Sequence, residues 1–164
     1  KKFLGSLDII AEDLGYLTPE AIKLKEEAGF PGMKVLQFAF QPGANSNYLP
    51  HNLEKHSIVY TGTHDNNTIM GWWEEADPKE IEYAIDYLKL NKNEGYNWGM
   101  IRGAWSSVAN TAIAPIQDFL GLGSAARMNI PSTTYGNWRW RIKEEYLKDS
   151  LAKKIEKITL LYGR

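Results

Sequence analysis

Ser57–Ile58–Val59–Tyr60–Thr61–Gly62–Thr63–His64–Asp65 runs a short apolar stretch directly into a polar turn. The apolar part, Ser57 to Thr61, is short and rich in β-branched and aromatic residues, so it reads as a buried strand. The turn after it carries an imidazole and a carboxylate side by side. Two other runs have the same form. Leu7 to Ala11, interrupted by Asp8, ends at Glu12–Asp13 and Gly15; Val35 to Phe40 ends at Gln41. Both predict buried strands, and Thr111 to Ile116 predicts a fourth.

Helical patterns lie between these runs. Thr18, Pro19 and Gly29 suit the N-cap, first turn and stop of one helix. Asp77–Pro78 opens another, with Ile81, Ala84, Ile85 and Leu88 on one stripe. Asn97 to Ala109 and Ser150 to Tyr162 predict two more. On these, Met100, Ile101, Ala104, Trp105 and Val108, and then Leu151, Ile155, Ile158 and Tyr162, form the apolar faces. Gln41 to Asn52 holds Pro42, Gly43 and Pro50 and reads as a long loop. Strands alternating with helices predict an α/β protein with a parallel sheet covered on both faces. A doubly wound sheet and part of a (β/α)₈ barrel both fit. No GxGxxG or P-loop follows the first strand, which counts against nucleotide binding. A full barrel takes about 250 residues, so four strands amount to roughly half of one.

Composition narrows the classes. The 164 residues are 43% hydrophobic and 24% charged, which suits one globular unit and leaves no disordered tract. The net charge of −1 with scattered Lys and Arg gives no footprint for nucleic acid. With no cysteine, there is neither a disulfide framework nor a thiolate metal site, and a reducing cytoplasm is expected. No apolar run reaches membrane-spanning length, so no membrane partner is expected. Lys1 in place of a start methionine points to a piece of something longer. Six tryptophans and nine tyrosines offer flat surfaces for core packing or for sugar rings.

Chemistry gathers where strands end. In a parallel barrel those ends form one rim, so Glu12 and Asp65 can meet although distant in sequence. An acid beside a carboxylate is the apparatus of glycoside cleavage, one protonating the leaving oxygen and the other stabilising charge on the ring. On the rim position alone, a Glu after a strand is more often an ordinary loop residue. His64–Asp65 lacks a second His or any Cys nearby, so no metal and no other cofactor is expected. Ser57 and Ser132 have no His/Asp partner pattern. His51 and His56 read as structural or solvent-facing. Trp72–Trp73 reads as packing, because adjacent helical residues diverge.

Longer blocks are more specific. Ile9 to Gly15 (IIAEDLG), Pro31 to Phe40 (PGMKVLQFAF), Tyr48 to Asn52 (YLPHN) and Tyr60 to Asn66 (YTGTHDN) follow one another. Pro115 to Asp118, Leu120 to Ser124, Arg127 to Pro131 and Gly136 to Arg141 come after them. Together these blocks resemble the amylomaltases, or 4-α-glucanotransferases, in family order and over nearly the whole chain. The resemblance implies a (β/α)₈ barrel of the α-amylase superfamily, of which residues 1–164 are the C-terminal half with no second domain. It implies retaining transfer of α-1,4-glucan segments between maltodextrins. On it, Glu12 falls on the general acid/base and Asp65 on the transition-state-stabilising carboxylate. His64, Phe38, Asn129 and Asn66 fall on substrate-contacting positions. The nucleophilic Asp belongs to a strand upstream, so the chain alone is expected to be inactive. It is expected to need the missing N-terminal half or to self-associate through open sheet edges. Pro42, Ser132 and Asn67 depart from residues common in the family. An amylase-type hydrolase and a non-catalytic glucan-binding module are the alternatives.

Overall fold

The structure, a computed structural model, describes residues 7–41 and 46–164. Its centre is a parallel sheet of β1 (Gly32–Val35), β2 (Ser57–Tyr60) and β3 (Thr111–Ile113), in that order. Gly32 pairs with Ser57 and Ile58 with Thr111, so all three strands enter the sheet from the same end. The helices are α1 (Pro19–Ala28), α2 (Ile69–Glu75), α3 (Pro78–Leu88), α4 (Tyr96–Trp105), α5 (Ile116–Leu120) and α6 (Asp149–Leu161). The α/β class and the parallel sheet are as expected.

Three expected strands differ. Leu7 to Ala11 is not a buried strand. Only Ala11 makes a parallel bridge, with Gly32, and its N–H donates to the Pro31 carbonyl at 2.9 Å. Leu7, Ile9 and Ile10 are 51%, 40% and 43% exposed, since no described strand lies on their outer side. The second strand ends at Val35, and Leu36–Phe40 coils into a 3₁₀ turn. An unbroken apolar run cannot distinguish a strand from a buried helical turn. The coil buries Leu36, Gln37, Ala39 and Phe40, and Gln37 Nε2 donates to the Asn67 carbonyl at 2.8 Å. The last strand stops at Ile113, because Pro115 has no N–H for a ladder and instead precedes α5. The expected helix from Asn97 to Ala109 ends at Trp105, which leaves Val108 58% exposed.

The core lies between the sheet and the helices. Leu36, Phe40, Val59, Ile69, Met100 and Ile101 are fully buried in it. Trp72 and Trp73 are packing residues, as expected: Trp72 tilts against Phe40 at 5.9 Å and Trp73 stacks on Tyr96 at 4.0 Å. Leu151, Ile155 and Ile158 of α6, with Tyr162 directly after it, close the same core from outside. The caps act as read: Thr18 accepts from the Ala21 N–H at 3.3 Å, and Gly29 takes the left-handed conformation with φ 68°. His51 Nδ1 lies 2.7 Å from the Tyr87 hydroxyl and His56 Nε2 3.2 Å from the Gly29 carbonyl, both at exposed positions. No helix of the described residues is long and apolar enough to cross a membrane.

Arg102 staples α3 to α4. Its guanidinium donates to both Glu94 carboxylate oxygens, at 2.7 and 3.0 Å, and to the Leu88 carbonyl at 2.8 Å. Arg102→Ala leaves that half-buried carboxylate and carbonyl without their donor. A loss of about 2 kcal/mol is expected in urea unfolding, and an unchanged midpoint would refute the staple.

Candidate active site

The segments at the ends of β1, β2 and β3, together with the one that follows the Ala11 bridge, converge on one cleft of about 670 Å³. Glu12, Phe38, Tyr60, His64, Asp65 and Asn66 stand on its wall. The structure therefore brings together five of the six site residues expected from sequence, and the sixth, Asn129, is bonded to Asp65.

Glu12 is exposed in the cleft, one residue past the Ala11–Gly32 bridge. Its neighbour Asp13 points the other way and is buried. Asp13 accepts from the Met33 N–H at 2.6 Å and from Lys25 Nζ at 2.8 Å, which ties this segment to β1 and α1. A Cβ at Gly32 would overlap the Asp13 carboxylate, so glycine is required there. The adjacent acids thus divide: Asp13 anchors, and Glu12 is presented.

The turn after β2 is held by its own side chains. The Thr63 N–H and hydroxyl both donate to Asn66 Oδ1, at 2.9 and 2.8 Å, and Thr63 Oγ1 accepts from the Asp65 N–H at 3.2 Å. Asn66 lines the cleft, but its carbonyl oxygen is engaged in shaping the turn. Asp65 Oδ1 accepts from Asn129 Nδ2 at 2.6 Å, and His64 Nε2 lies 3.2 Å from the same oxygen. Among the described residues, these contacts to the carboxylate all fall on Oδ1. The backbone is gripped as well: the Asn129 N–H donates to the His64 carbonyl at 3.1 Å and Arg127 Nη2 to the Asp65 carbonyl at 2.7 Å. Asn129 is therefore a partner of Asp65 as much as a cleft residue.

Phe38 projects from the 3₁₀ turn and is half-buried, with Tyr48 edge-on behind it at 5.6 Å between ring centroids. Tyr48 supports Phe38 and does not line the cleft. Asn67 is buried beneath the turn, where Nδ2 donates to Glu75 and to Ser124 Oγ, each at 3.0 Å, so its departure from the family pattern does not touch the cleft. Ser132 has φ 65°, a conformation natural to glycine. Pro42 lies outside the described residues.

Two groups carry more of the site than their sequence suggested. One is Arg127, described above. The other is Asp118, which is almost fully buried directly below the turn. It accepts from the Thr61 hydroxyl at 2.6 Å and from the Ile69 N–H at 2.8 Å, joining the end of β2 to the start of α2. Burial pushes its carboxyl up to about 6, although those two hydrogen bonds pull it down. Nothing in the Pro115–Asp118 block marks that aspartate as buried.

Fold and cleft together define an α/β protein with an acid-lined cleft at the C-terminal edge of a parallel sheet. The chain belongs to the 4-alpha-glucanotransferase family, which it matches over residues 1–148. It is 55% identical over 165 residues to the 4-alpha-glucanotransferase of Clostridium butyricum, covering 100% of this chain and 34% of that protein. It is 49% identical to the chloroplastic/amyloplastic enzyme of Solanum tuberosum, covering 98% of this chain and 28% of that one. Among solved structures, amylomaltase from Streptococcus agalactiae in complex with acarbose superposes with a TM-score of 0.95 at 39% identity. That match covers 99% of this chain and 33% of the amylomaltase. The chain spans about a third of the length of the curated relatives it matches.

Proposed function

We propose that this chain is the acid/base-bearing part of a retaining 4-α-glucanotransferase that passes α-1,4-glucan segments between maltodextrins. The observation that carries it is the convergence of Glu12, just past the Ala11 bridge, and Asp65, just past β2, on one cleft beside His64 and Phe38. Residues 1–164, which superpose on part of a solved amylomaltase with a TM-score of 0.95, are in this reading the C-terminal half of a (β/α)₈ barrel with no second domain. That relative was solved with acarbose, which supports a saccharide substrate. The absence of cysteine goes with a cytoplasmic location.

In this reading the reaction is a double displacement. A carboxylate from an upstream strand attacks the anomeric carbon. The bond to the glycosidic oxygen breaks as Glu12 gives that oxygen its proton. Asp65 faces the sugar as positive charge grows on the ring. His64 and Asn129 keep it oriented. The acceptor's 4-hydroxyl then gives its proton to Glu12 as its oxygen displaces the enzyme carboxylate, and the configuration is restored. Phe38 supplies an apolar wall that disfavours water.

Maltotriose tests the reading in the full-length protein. Glucose together with maltodextrins longer than three units is the expected outcome. Shorter sugars alone would make it an amylase-type hydrolase, and binding without turnover a glucan-binding module. The 164-residue chain by itself is expected to give no products, since its nucleophile is upstream and its barrel needs the other half or a second copy at the open edge. Disproportionation by the isolated chain would contradict this.

A further inference from the structure

We propose that Trp138 is a positioning residue for His64, fixing the imidazole against Asp65 so that the pair meets the sugar in one geometry. The proposal rests on the transferase reading and deepens it. The two rings lie 5.0 Å apart, tilted by 39°. Among the described residues, the only polar side-chain contact of the His64 ring is Nε2 to Asp65 Oδ1 at 3.2 Å. Packing must therefore supply the rest of its orientation.

Trp138 does not behave as a core residue. It is 52% exposed, yet its backbone is held at φ 62°. There a Cβ crowds the neighbouring carbonyl, and a tryptophan gains nothing locally from the conformation. Gly136, two residues earlier, already supplies a left-handed turn at φ 79°. Strain retained at an exposed bulky residue points to a function for its side chain. The surrounding chain enforces the position. The Trp138 N–H donates to the Met128 carbonyl at 2.7 Å, and Arg141 Nη1 to the Trp138 carbonyl at 2.8 Å. Asn137 closes the loop, accepting from the Ile130 N–H at 2.9 Å and donating to Thr133 Oγ1 at 2.9 Å.

The space around His64 shows what that grip prevents. Beside the main cleft, and sharing Thr63, His64, Asn66 and Pro115 with it, lies a second cavity of about 170 Å³. His64, Asn66, Met128 and Trp138 help to line it. Remove the indole, and the imidazole has room to swing out of line with Asp65. The segment from Arg127 to Trp138 therefore holds the reacting turn at three kinds of point: the backbone through Arg127, the carboxylate through Asn129, and the imidazole through Trp138.

A double-mutant cycle in the full-length enzyme, with an α-glycosyl fluoride donor to keep weak variants measurable, tests this. W138L is expected to lower kcat about tenfold with KM within about twofold, and W138F to recover most of the loss. In an H64A background, W138L is expected to cost less than about twofold. Additive losses would overturn the proposal, and so would a raised KM with unchanged kcat, which would make Trp138 a direct sugar platform. NMR of the His64 ring gives a readout that needs no turnover. One sharp set of signals in wild type should broaden or split in W138L. An undisturbed single set in W138L overturns the proposal even if the transferase reading itself has failed.

Discussion

Glu12→Gln is expected to lower kcat/KM for maltotriose disproportionation by roughly a thousandfold, within the usual range for losing a general acid–base. Glutamine keeps the size of the side chain and its place in the cleft, so neither folding nor glucan binding should suffer. What disappears is the proton. The glycosidic oxygen would have to leave as an alkoxide: among the described residues the other carboxyl group on the cleft wall is Asp65, whose Oδ1 is engaged by Asn129 and His64. Asp13, the nearest acid in sequence, is buried and bonded to Met33 and Lys25. An α-glycosyl fluoride separates the two half-reactions. Fluoride leaves without a proton, so the first step should return in the variant. The second step should stay slow, because the acceptor hydroxyl has lost its base, and the glycosyl-enzyme should accumulate to be seen by mass spectrometry of the intact protein. A variant that disproportionates maltotriose at near wild-type rates would sink the assignment of Glu12.

The second large effect concerns Asp118 and appears in stability. Its carboxyl titrates at about 6 in the folded chain, above the ordinary carboxylate value of about 3.9. Above pH 6 the fold carries a buried negative charge, a cost of about 3 kcal/mol against the protonated form. As pH falls through 6 towards 4, the folded state holds a proton that the unfolded state releases, so stability rises. Most carboxylates give the opposite trend, which makes the sign diagnostic. Asp118→Asn removes the titration but keeps an oxygen for the Ile69 N–H and a polar group for Thr61. Urea unfolding of both proteins at pH 7.5 and pH 5 isolates the group. The wild type should gain about 1 kcal/mol on the variant in moving to pH 5. A difference that does not change with pH would refute the buried charge.

Much of the fold was legible in the sequence because its signals are local. Pro19 and Gly29, Asp77–Pro78, and the stripes through Leu88 and Leu151 mark helix ends and faces that neighbours seldom override. The strands were less legible. Val35 to Phe40 is apolar throughout, and only tertiary contacts, among them Gln37 with Asn67, decide that its second part coils. Leu7 to Ala11 carries the composition of a buried strand, but burial depends on what lies beside it. Of the site, the residues on strand ends could be read, since a parallel sheet brings such ends together. Arg127, Asp118 and Trp138 could not. Each acts on the turn through a contact with a distant segment, and no spacing in the chain encodes that.

The parallel sheet also sets the order in which the cleft can be built. Adjacent strands that run the same way cannot be joined by a tight hairpin, so each pairing closes a long loop before any contact rewards it. Pairing Ser57 with Gly32 closes one such loop, and pairing Thr111 with Ile58 closes a longer one across three helices. The grip of Arg127 and Asn129 on the His64–Asp65 turn comes later still in the chain. Helices α1 and α3, with local caps, can form early; the cleft cannot. Folding rates should therefore be governed by sheet closure, and substitutions in the Arg127–Trp138 segment should speed unfolding while leaving the folding rate nearly unchanged.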